Sequence, residues 1–192
     1  TSFTRFTRQE GLAYERVSCL WEDRQGQLWM GTCGGGVSRY DGRVFQTLGQ
    51  DQGLSSQVVH DLLEDRQGRM WLATQGGLVC YRPSRQQPKV TLREGMADRA
   101  CAPPAARSVP VSQGRVQFVF QGSNWTTRPD GFVYVYRLEG HDPEWQVTHQ
   151  GQAEYLNLPL GDYTFQVQAV DGDLNYSEPA SVKLEVVPGP EV

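Results

Sequence analysis

Several features that would assign a function class are missing from this chain of 192 residues. Lysine and arginine number 18 against 22 acidic residues, and the resulting net charge of −4 argues against a nucleic-acid-binding surface. No apolar run approaches the roughly eighteen residues that a membrane-spanning helix needs. The first residues contain no basic-then-apolar leader. We therefore expect a soluble fragment of a longer protein.

Cysteine is scarce, and its spacing fits no common motif. The four cysteines are Cys19, Cys33, Cys80 and Cys101. Structural zinc sites and thioredoxin-type sites use C-x-x-C spacing, which is missing here, so the sequence predicts no metal and no redox cofactor. So few cysteines in a chain of this length do not make a disulfide framework, and the sequence leaves their disulfide status open.

The main positive feature is an internal repeat. The segment "EDRQGQLWMGT" (22–32) returns as "EDRQGRMWLAT" (64–74), with seven of the eleven positions identical. Trp29 and Trp71 lie 42 positions apart, and the offset falls to 41 after them because the following loop loses one residue. A fixed period of this length is typical of repeat architectures.

Each repeat contains short runs typical of strands, separated by turn residues. Four short strands in about 42 residues are typical of a β-propeller blade. Helical repeats of similar length need apolar stripes at helical spacing, which are missing here. We therefore predict an all-β chain that opens with two four-stranded blades, at 1–48 and 49–96.

The repeated segment has the pattern of a hairpin. Aspartate at the first turn position and glycine at the fourth favour a type I turn followed by a left-handed glycine, with the carboxylate accepting bonds from turn amides. The tryptophan on the next strand is placed to pack between neighbouring blades. This structural signature comprises Asp23, Gly26, Trp29, Gly31, Asp65, Gly68 and Trp71.

The second half of the chain has a different pattern. Five strand-like runs follow from about residue 108, and in one of them Tyr163, Phe165 and Val167 alternate with polar residues. Tyr163, placed at a strand start after a turn, has the pattern of a tyrosine corner. We predict an immunoglobulin or fibronectin III-like β-sandwich at 108–188, preceded by a linker at 97–107 and followed by a tail at 189–192.

One loop invites a calcium-binding interpretation. Asp171, Asp173 and Asn175 follow the D-x-D-x-N rhythm of an EF-hand loop. Tyr176 stands where that loop needs glycine, and Val182 stands where it needs a carboxylate. The segment is better explained as a hairpin tip, and we predict no metal site.

The sequence predicts no catalytic residues. The acidic pairs Glu22-Asp23 and Glu64-Asp65 cannot converge on one bond, because adjacent strand residues point to opposite faces. For Trp125 and Trp145 we favour packing in the sandwich, and a sugar-stacking platform is the alternative.

The two halves resemble two modules of one family. The pattern "GL…V…ED..G.LW.GT..G…Y" resembles the two-component-regulator propeller repeat, with Ala73 in a usual glycine place. The stretches "YVYRLEGHDPEW" (134–145) and "NLPLGDYTFQVQA" (157–169) resemble the triple-tyrosine (Y_Y_Y) domain. Both modules occur, in this order, in the extracytoplasmic sensor half of bacterial hybrid histidine kinases.

The resemblance implies a non-catalytic, periplasmic ligand-sensing region whose parent lies in the inner membrane. It implies a small extracellular ligand such as an oligosaccharide, and dimerisation through the sandwich. The alternatives are a secreted or periplasmic carbohydrate-binding module and a fragment of a propeller lyase or hydrolase. Because propellers close with four to eight blades, we expect either further blades upstream or a homo-oligomer, formed by ring completion or edge-strand exchange.

Overall fold

The computed structural model of this chain describes residues 2–93, 107–110 and 114–188. These residues form an all-β structure, as predicted, and no helix among them is long and apolar enough to cross a membrane. The predicted linker, apart from Arg107, lies outside the described residues, as do the predicted tail and Cys101.

The described residues fall into two compact units. The first unit contains the residues up to Arg85 together with Gly172–Leu174. The second contains the residues from Gln86 to Asp171 and from Asn175 onward.

The first unit contains two antiparallel sheets, each corresponding to one sequence repeat. Blade one has the strand order β1-β2-β3-β4, with β1 (Val17–Glu22), β2 (Leu28–Thr32), β3 (Val37–Tyr40) and β4 (Phe45–Leu48). Blade two has the order β5-β6-β7, with β5 (Val59–Glu64), β6 (Met70–Thr74) and β7 (Gly77–Tyr81).

Blade two differs from the prediction, because its sheet has three strands in the described part of the chain. The next strand, β8 (Lys89–Arg93), pairs with β10 (Arg115–Ser123) of the second unit. Val90 and Leu92 of β8 pack against the core of that unit, so apolar burial accounts for its position. The first unit therefore ends near Arg85 rather than at residue 96.

A shared apolar core joins the two blades. Alternation along each strand places Trp29 in this core and Met30 on the opposite face of blade one. The buried members of the core are Trp29, Val37, Leu48, Leu54, Val59, Leu62, Met70 and Leu72.

The second unit is a β-sandwich. One sheet has the order β13-β10-β8, with β13 at Gln152–Leu156. The other has the order β12-β11-β14-β15-β9, with β9 (Arg107–Pro110), β11 (Val133–Glu139), β12 (Gln146–Thr148), β14 (Gly161–Val170) and β15 (Ala180–Val187). Aromatic rings fill the space between the sheets, and Phe118 stacks on Phe165 with ring centroids 3.9 Å apart.

We predict that Gly31→Ala destabilises the first unit. A Cβ atom at this position would collide with the Cys19 sulfur and lie 2.9 Å from Cγ1 of Val59, across the blade–blade core. Overpacking of this kind costs about 1–3 kcal/mol, measurable as the free energy of unfolding in urea. Gly49→Ala is the control, because its nearest neighbour would be 3.5 Å away. Equal losses in the two variants would contradict this account of Gly31.

Candidate functional site

The repeated signature forms a hydrogen-bonded hairpin that fixes a tryptophan. Oδ1 of Asp23 accepts hydrogen bonds from the amides of Gln25 and Gln27, both at 2.9 Å. Oδ2 of Asp23 accepts a 2.8 Å bond from the indole N–H of Trp29. Gly26 closes the turn with φ of 80°, which is the left-handed region that favours glycine. One carboxylate therefore shapes the turn and orients the indole.

Blade two repeats this arrangement with one addition. Asp65 accepts bonds from the amides of Gln67 and Arg69 and from the indole of Trp71, at 2.8, 3.0 and 2.9 Å. The Arg69 guanidinium also pairs with Asp65 at 2.6 Å and lies 5.4 Å from the Trp71 ring centroid. Desolvation opposes ionisation of Asp65, but the bonds from Trp71 and Arg69 outweigh it and hold the pKa of this carboxyl well below its ordinary value.

The hydrogen bond between the indole and the carboxylate is not among the features predicted from the sequence. The available signal was the spacing of aspartate and tryptophan, six positions apart in both repeats. Because their oxygens are occupied by turn and indole donors, Asp23 and Asp65 serve structure and are not placed as general acids or bases.

Trp29 is fully buried and lies at the centre of a polar cluster. The Arg39 guanidinium stacks 4.2 Å from its ring centroid, and Tyr81 approaches the ring edge-on at 6.1 Å. Arg39 is itself buried and forms a 2.7 Å ion pair with Asp173. Trp71 is only partly buried, so the two signature tryptophans differ in environment.

Asp173 belongs to the first unit, and both of its carboxylate oxygens accept hydrogen bonds. Besides Arg39, it accepts a 2.5 Å bond from the Tyr81 hydroxyl and a 2.9 Å bond from the amide of Ser84. Removing one partner of a buried, hydrogen-bonded ion pair normally costs several kcal/mol, because the other charge stays buried. Asp173 therefore holds the Arg39 guanidinium in its stacked position on Trp29.

The loop that suggested calcium has its carboxylates engaged by protein donors. Asp171 accepts bonds from the Asn175 amide at 2.9 Å and from the Asn124 side chain at 3.1 Å. Asp173 accepts hydrogen bonds from Arg39, Tyr81 and Ser84. Among the described residues, no group of three or more histidine, cysteine, aspartate or glutamate side chains is placed to hold a metal ion.

The tyrosines of the second unit tie loops to strands. The Tyr163 hydroxyl donates a 2.9 Å bond to the Pro159 carbonyl, which is the geometry of a tyrosine corner. The Tyr134 hydroxyl accepts a 2.9 Å bond from the Gly122 amide. These bonds are structural, since each one satisfies a backbone group at the edge of the core.

Tyr155 and Asp142 form a coupled pair in the same unit. The Tyr155 hydroxyl donates a 2.5 Å bond to Asp142, which also accepts from the Leu138 amide at 2.8 Å and contacts His141 Nδ1 at 3.0 Å. Desolvation opposes ionisation of Asp142, but these bonds outweigh it and lower the pKa of Asp142. Desolvation and the Asp142 carboxylate together raise the pKa of Tyr155.

Trp125 is the most exposed large aromatic of the second unit. Its side chain is 91% exposed, so the preferred prediction of core packing is wrong for this residue. The turn that holds it is ordered by Asn124, whose Oδ1 accepts bonds from the amides of Thr126 and Thr127 at 3.1 and 2.7 Å. Trp145, in contrast, lies under the Arg137 guanidinium at 5.3 Å.

A groove of about 500 Å³ crosses the surface of the second unit. Its charged lining consists of Glu139, Asp162, Lys183 and Glu185. The acidic excess disfavours an anionic ligand.

Comparison with known families identifies one module in each half of the chain. Residues 53–76 match the two component regulator propeller family (Reg_prop), and residues 126–187 match the Y_Y_Y domain family. The predicted resemblance of the two halves to the propeller repeat and to the Y_Y_Y domain is therefore confirmed. No curated protein sequence matches the chain.

A solved structure has a similar arrangement of strands. The extracellular domain of BT3049 from B. thetaiotaomicron, named as a hybrid two component system, matches 95% of this chain with a TM-score of 0.59 and 21% identity. The match spans only 28% of the BT3049 chain.

Two further solved structures match with TM-scores below 0.5. The extracellular domain of BT4673 from the same organism, named as a one component system, has a TM-score of 0.41 and 18% identity, over 90% of this chain and 25% of its own. Fibronectin(III)-like modules of CbhA from Clostridium thermocellum have a TM-score of 0.39 and 13% identity, over 90% of this chain and 80% of theirs.

We predict that Tyr155→Phe weakens the acid sensitivity of the fold. The pKa of Asp142 is lower in the folded protein than in the unfolded chain, where it is about 3.9. The ionised carboxylate therefore stabilises the fold at pH values above the unfolded pKa, and this stabilisation is lost as the pH falls through the folded pKa. Loss of the Tyr155 hydroxyl should raise the pKa of Asp142 in the folded protein. The free energy of unfolding should then fall less steeply as the pH is lowered. The measurement is the free energy of unfolding from pH 7 to pH 2.

Tyr134→Phe is the matched control for this experiment. It also removes a buried hydroxyl, but that hydroxyl bonds an amide, so it should lower stability without changing the acid-side slope. An unchanged slope in Tyr155→Phe would contradict the assignment of the Asp142 pKa to this bond.

Proposed function

Because the chain carries a two component regulator propeller repeat and a Y_Y_Y domain, we propose that it is the extracytoplasmic, ligand-sensing and signal-relaying part of a sensor histidine kinase. The observation that carries the proposal is the presence of both modules in this order. Its similarity in fold to the extracellular domain of BT3049 supports the same assignment.

The side chains of the site support a binding and relaying role rather than a catalytic one. The signature carboxylates are held by turn and indole donors, and the Asp142 carboxylate is held by Tyr155 and a backbone amide. A hydrolase or lyase site needs convergent, available acids and bases. We infer that the chemistry of the parent belongs to a separate output domain.

The proposal places this region in the periplasm and its parent in the inner membrane. The ligand that we propose is a small extracellular molecule of the oligosaccharide class. Sensor regions of this kind relay binding by a change in the population of two conformations, so the ligand must bind one conformation more tightly than the other.

A carbohydrate-binding module, secreted or periplasmic, is the second candidate. The observation that favours it is Trp125, an exposed indole on a turn that is held by Asn124. A flat, exposed aromatic ring can stack on the apolar face of a sugar. In this case the chain would bind carbohydrate without any membrane-anchored output.

The experiment that separates the two candidates uses the full-length parent in its own bacterium. Under the sensor proposal, the reading frame continues past Val192 into an apolar segment of about twenty residues and then into a kinase. An epitope placed beside Trp125 should be removed by protease added to intact spheroplasts, while a cytoplasmic marker survives. A stop codon after Val192, with a secretion signal upstream, would contradict the sensor proposal.

A further inference from the structure

One short segment of the first unit is far from the rest of that unit in sequence. The first unit runs to Arg85 and then includes Gly172–Leu174, which we call the latch. Its two neighbours in the chain, Asp171 and Asn175, belong to the second unit. The latch is therefore part of the unit that contains the blades, while the chain that enters it and the chain that leaves it are parts of the sandwich.

The latch is held in the first unit by hydrogen bonds to a buried arginine. The Arg39 guanidinium donates to the carbonyl oxygens of Gly172 and Asp173, both at 3.1 Å, in addition to its bond with the Asp173 carboxylate. Tyr81 and Ser84 donate to the same carboxylate. Hydrogen bonds that involve a charged group are about twice as strong as neutral ones. Asp173 is therefore the residue that fixes the latch.

The bonds to the latch are not a requirement of the blade. Cys80 stands at the position in blade two that Arg39 has in blade one. Tyr81 is the repeat counterpart of Tyr40, whose hydroxyl instead donates a 2.7 Å bond to the Gly42 carbonyl in its own turn. Because the second copy of the repeat has no such arginine and the first uses its tyrosine locally, both latch contacts have a role beyond the blade itself.

The latch also contains a strained backbone position. Leu174 is buried and has φ of 61°, in the left-handed region that favours glycine. This conformation is unfavourable for leucine, because its Cβ atom comes too close to the following carbonyl oxygen. A residue keeps such a conformation only when its surroundings force it, and residues of this kind cluster at switch regions. Release of the latch would relieve this strain.

The two ends of the latch are closed by hydrogen bonds within the second unit. The Asp171 amide donates to the Asn175 carbonyl at 3.1 Å, and the Asn175 amide donates to the Asp171 carboxylate at 2.9 Å. The Asn124 side chain donates to the same carboxylate, and the Ser177 amide donates to the Ala169 carbonyl in β14. A loop of three residues on a closed base has little slack. Movement of the latch must therefore change the bonds of its base.

We propose that the latch is a two-state element of the relay, an inference that rests on the proposed function for its role in signalling. In the bound state Arg39, Tyr81 and Ser84 hold Asp173. In the released state these bonds are broken, and the bonds at the base of the latch are broken with them. A ligand that binds one state of the first unit more tightly shifts the populations of the two states. The ends of β14 and β15 respond, because the latch connects them in the chain.

A buried ion pair suits such an element better than apolar contacts would. The cost of removing Arg39 and Asp173 from water offsets much of their attraction, so the pair adds little net stability while it specifies one arrangement. Its hydrogen bonds also depend steeply on distance and angle, so a small displacement breaks them. The bound state is therefore sharply defined and still close in free energy to the released state.

Amide hydrogen exchange in the 192-residue chain, measured by NMR at increasing urea concentration, tests whether the latch opens on its own. The Ser84 amide reports on the bound state, because it donates to Asp173. The Asn175 amide reports on the base of the latch, because it donates to Asp171. Both amides should show one common protection factor, at least tenfold below that of the Trp29 amide in a central strand of blade one. Equal protection of all three amides would overturn the proposal.

Tyr81→Phe tests whether the two ends of the latch are coupled. The change removes one hydrogen bond to Asp173 and keeps the ring that packs on Trp29. Loss of a hydrogen bond to a charged group should speed exchange of the Ser84 amide roughly tenfold or more. The Asn175 amide should speed up by the same factor, although Tyr81 does not bond to it or to its acceptor. Faster exchange at Ser84 with unchanged exchange at Asn175 would overturn the proposal.

Tyr40→Phe is the matched control, because it is the same substitution at the equivalent position of blade one. Its hydroxyl bonds within its own turn, so exchange at Ser84 and Asn175 should stay as in the wild type. Equal acceleration in Tyr40→Phe and Tyr81→Phe would also overturn the proposal. The exchange results concern the latch alone, whereas the reading frame beyond Val192 concerns the sensor assignment alone, so failure of either one is recognised separately.

Discussion

The position of one buried indole is the constraint on which the first unit depends. Trp29 lies between two sheets, and its N–H must have an acceptor because a buried donor without one is costly. Asp23 supplies that acceptor from a turn that the same carboxylate shapes. Arg39 covers the ring and is held by Asp173. Blade spacing, hairpin geometry and the buried ion pair therefore form one connected arrangement.

This arrangement gives the repeated signature residues a structural role in each blade. A residue type that recurs in every blade satisfies a requirement that recurs in every blade, which here is the turn and the indole bond. A ligand site needs residues that differ between blades or that lie on loops. Trp125 meets that description on its turn.

The local features of this fold could be predicted, because they depend on residues close together in sequence. Asp23 and Gly26 predict their turn, and the alternation through Phe165 predicts a half-buried strand. The position of β8 could not be predicted, since Val90 and Leu92 would suit either sheet and only tertiary packing decides between them. The bond between Arg39 and Asp173 joins residues 134 positions apart, and no local pattern indicates such a pairing.

Trp29 stabilises the first unit by packing between the two blades. The most direct measurement compares the free energy of unfolding of Trp29→Phe with that of Trp71→Phe. Both changes remove an indole bond to aspartate, but only Trp29 is fully buried under a buried arginine. The account predicts a loss larger at Trp29 by roughly 1–2 kcal/mol. Equal losses, or a larger loss at Trp71, would contradict it.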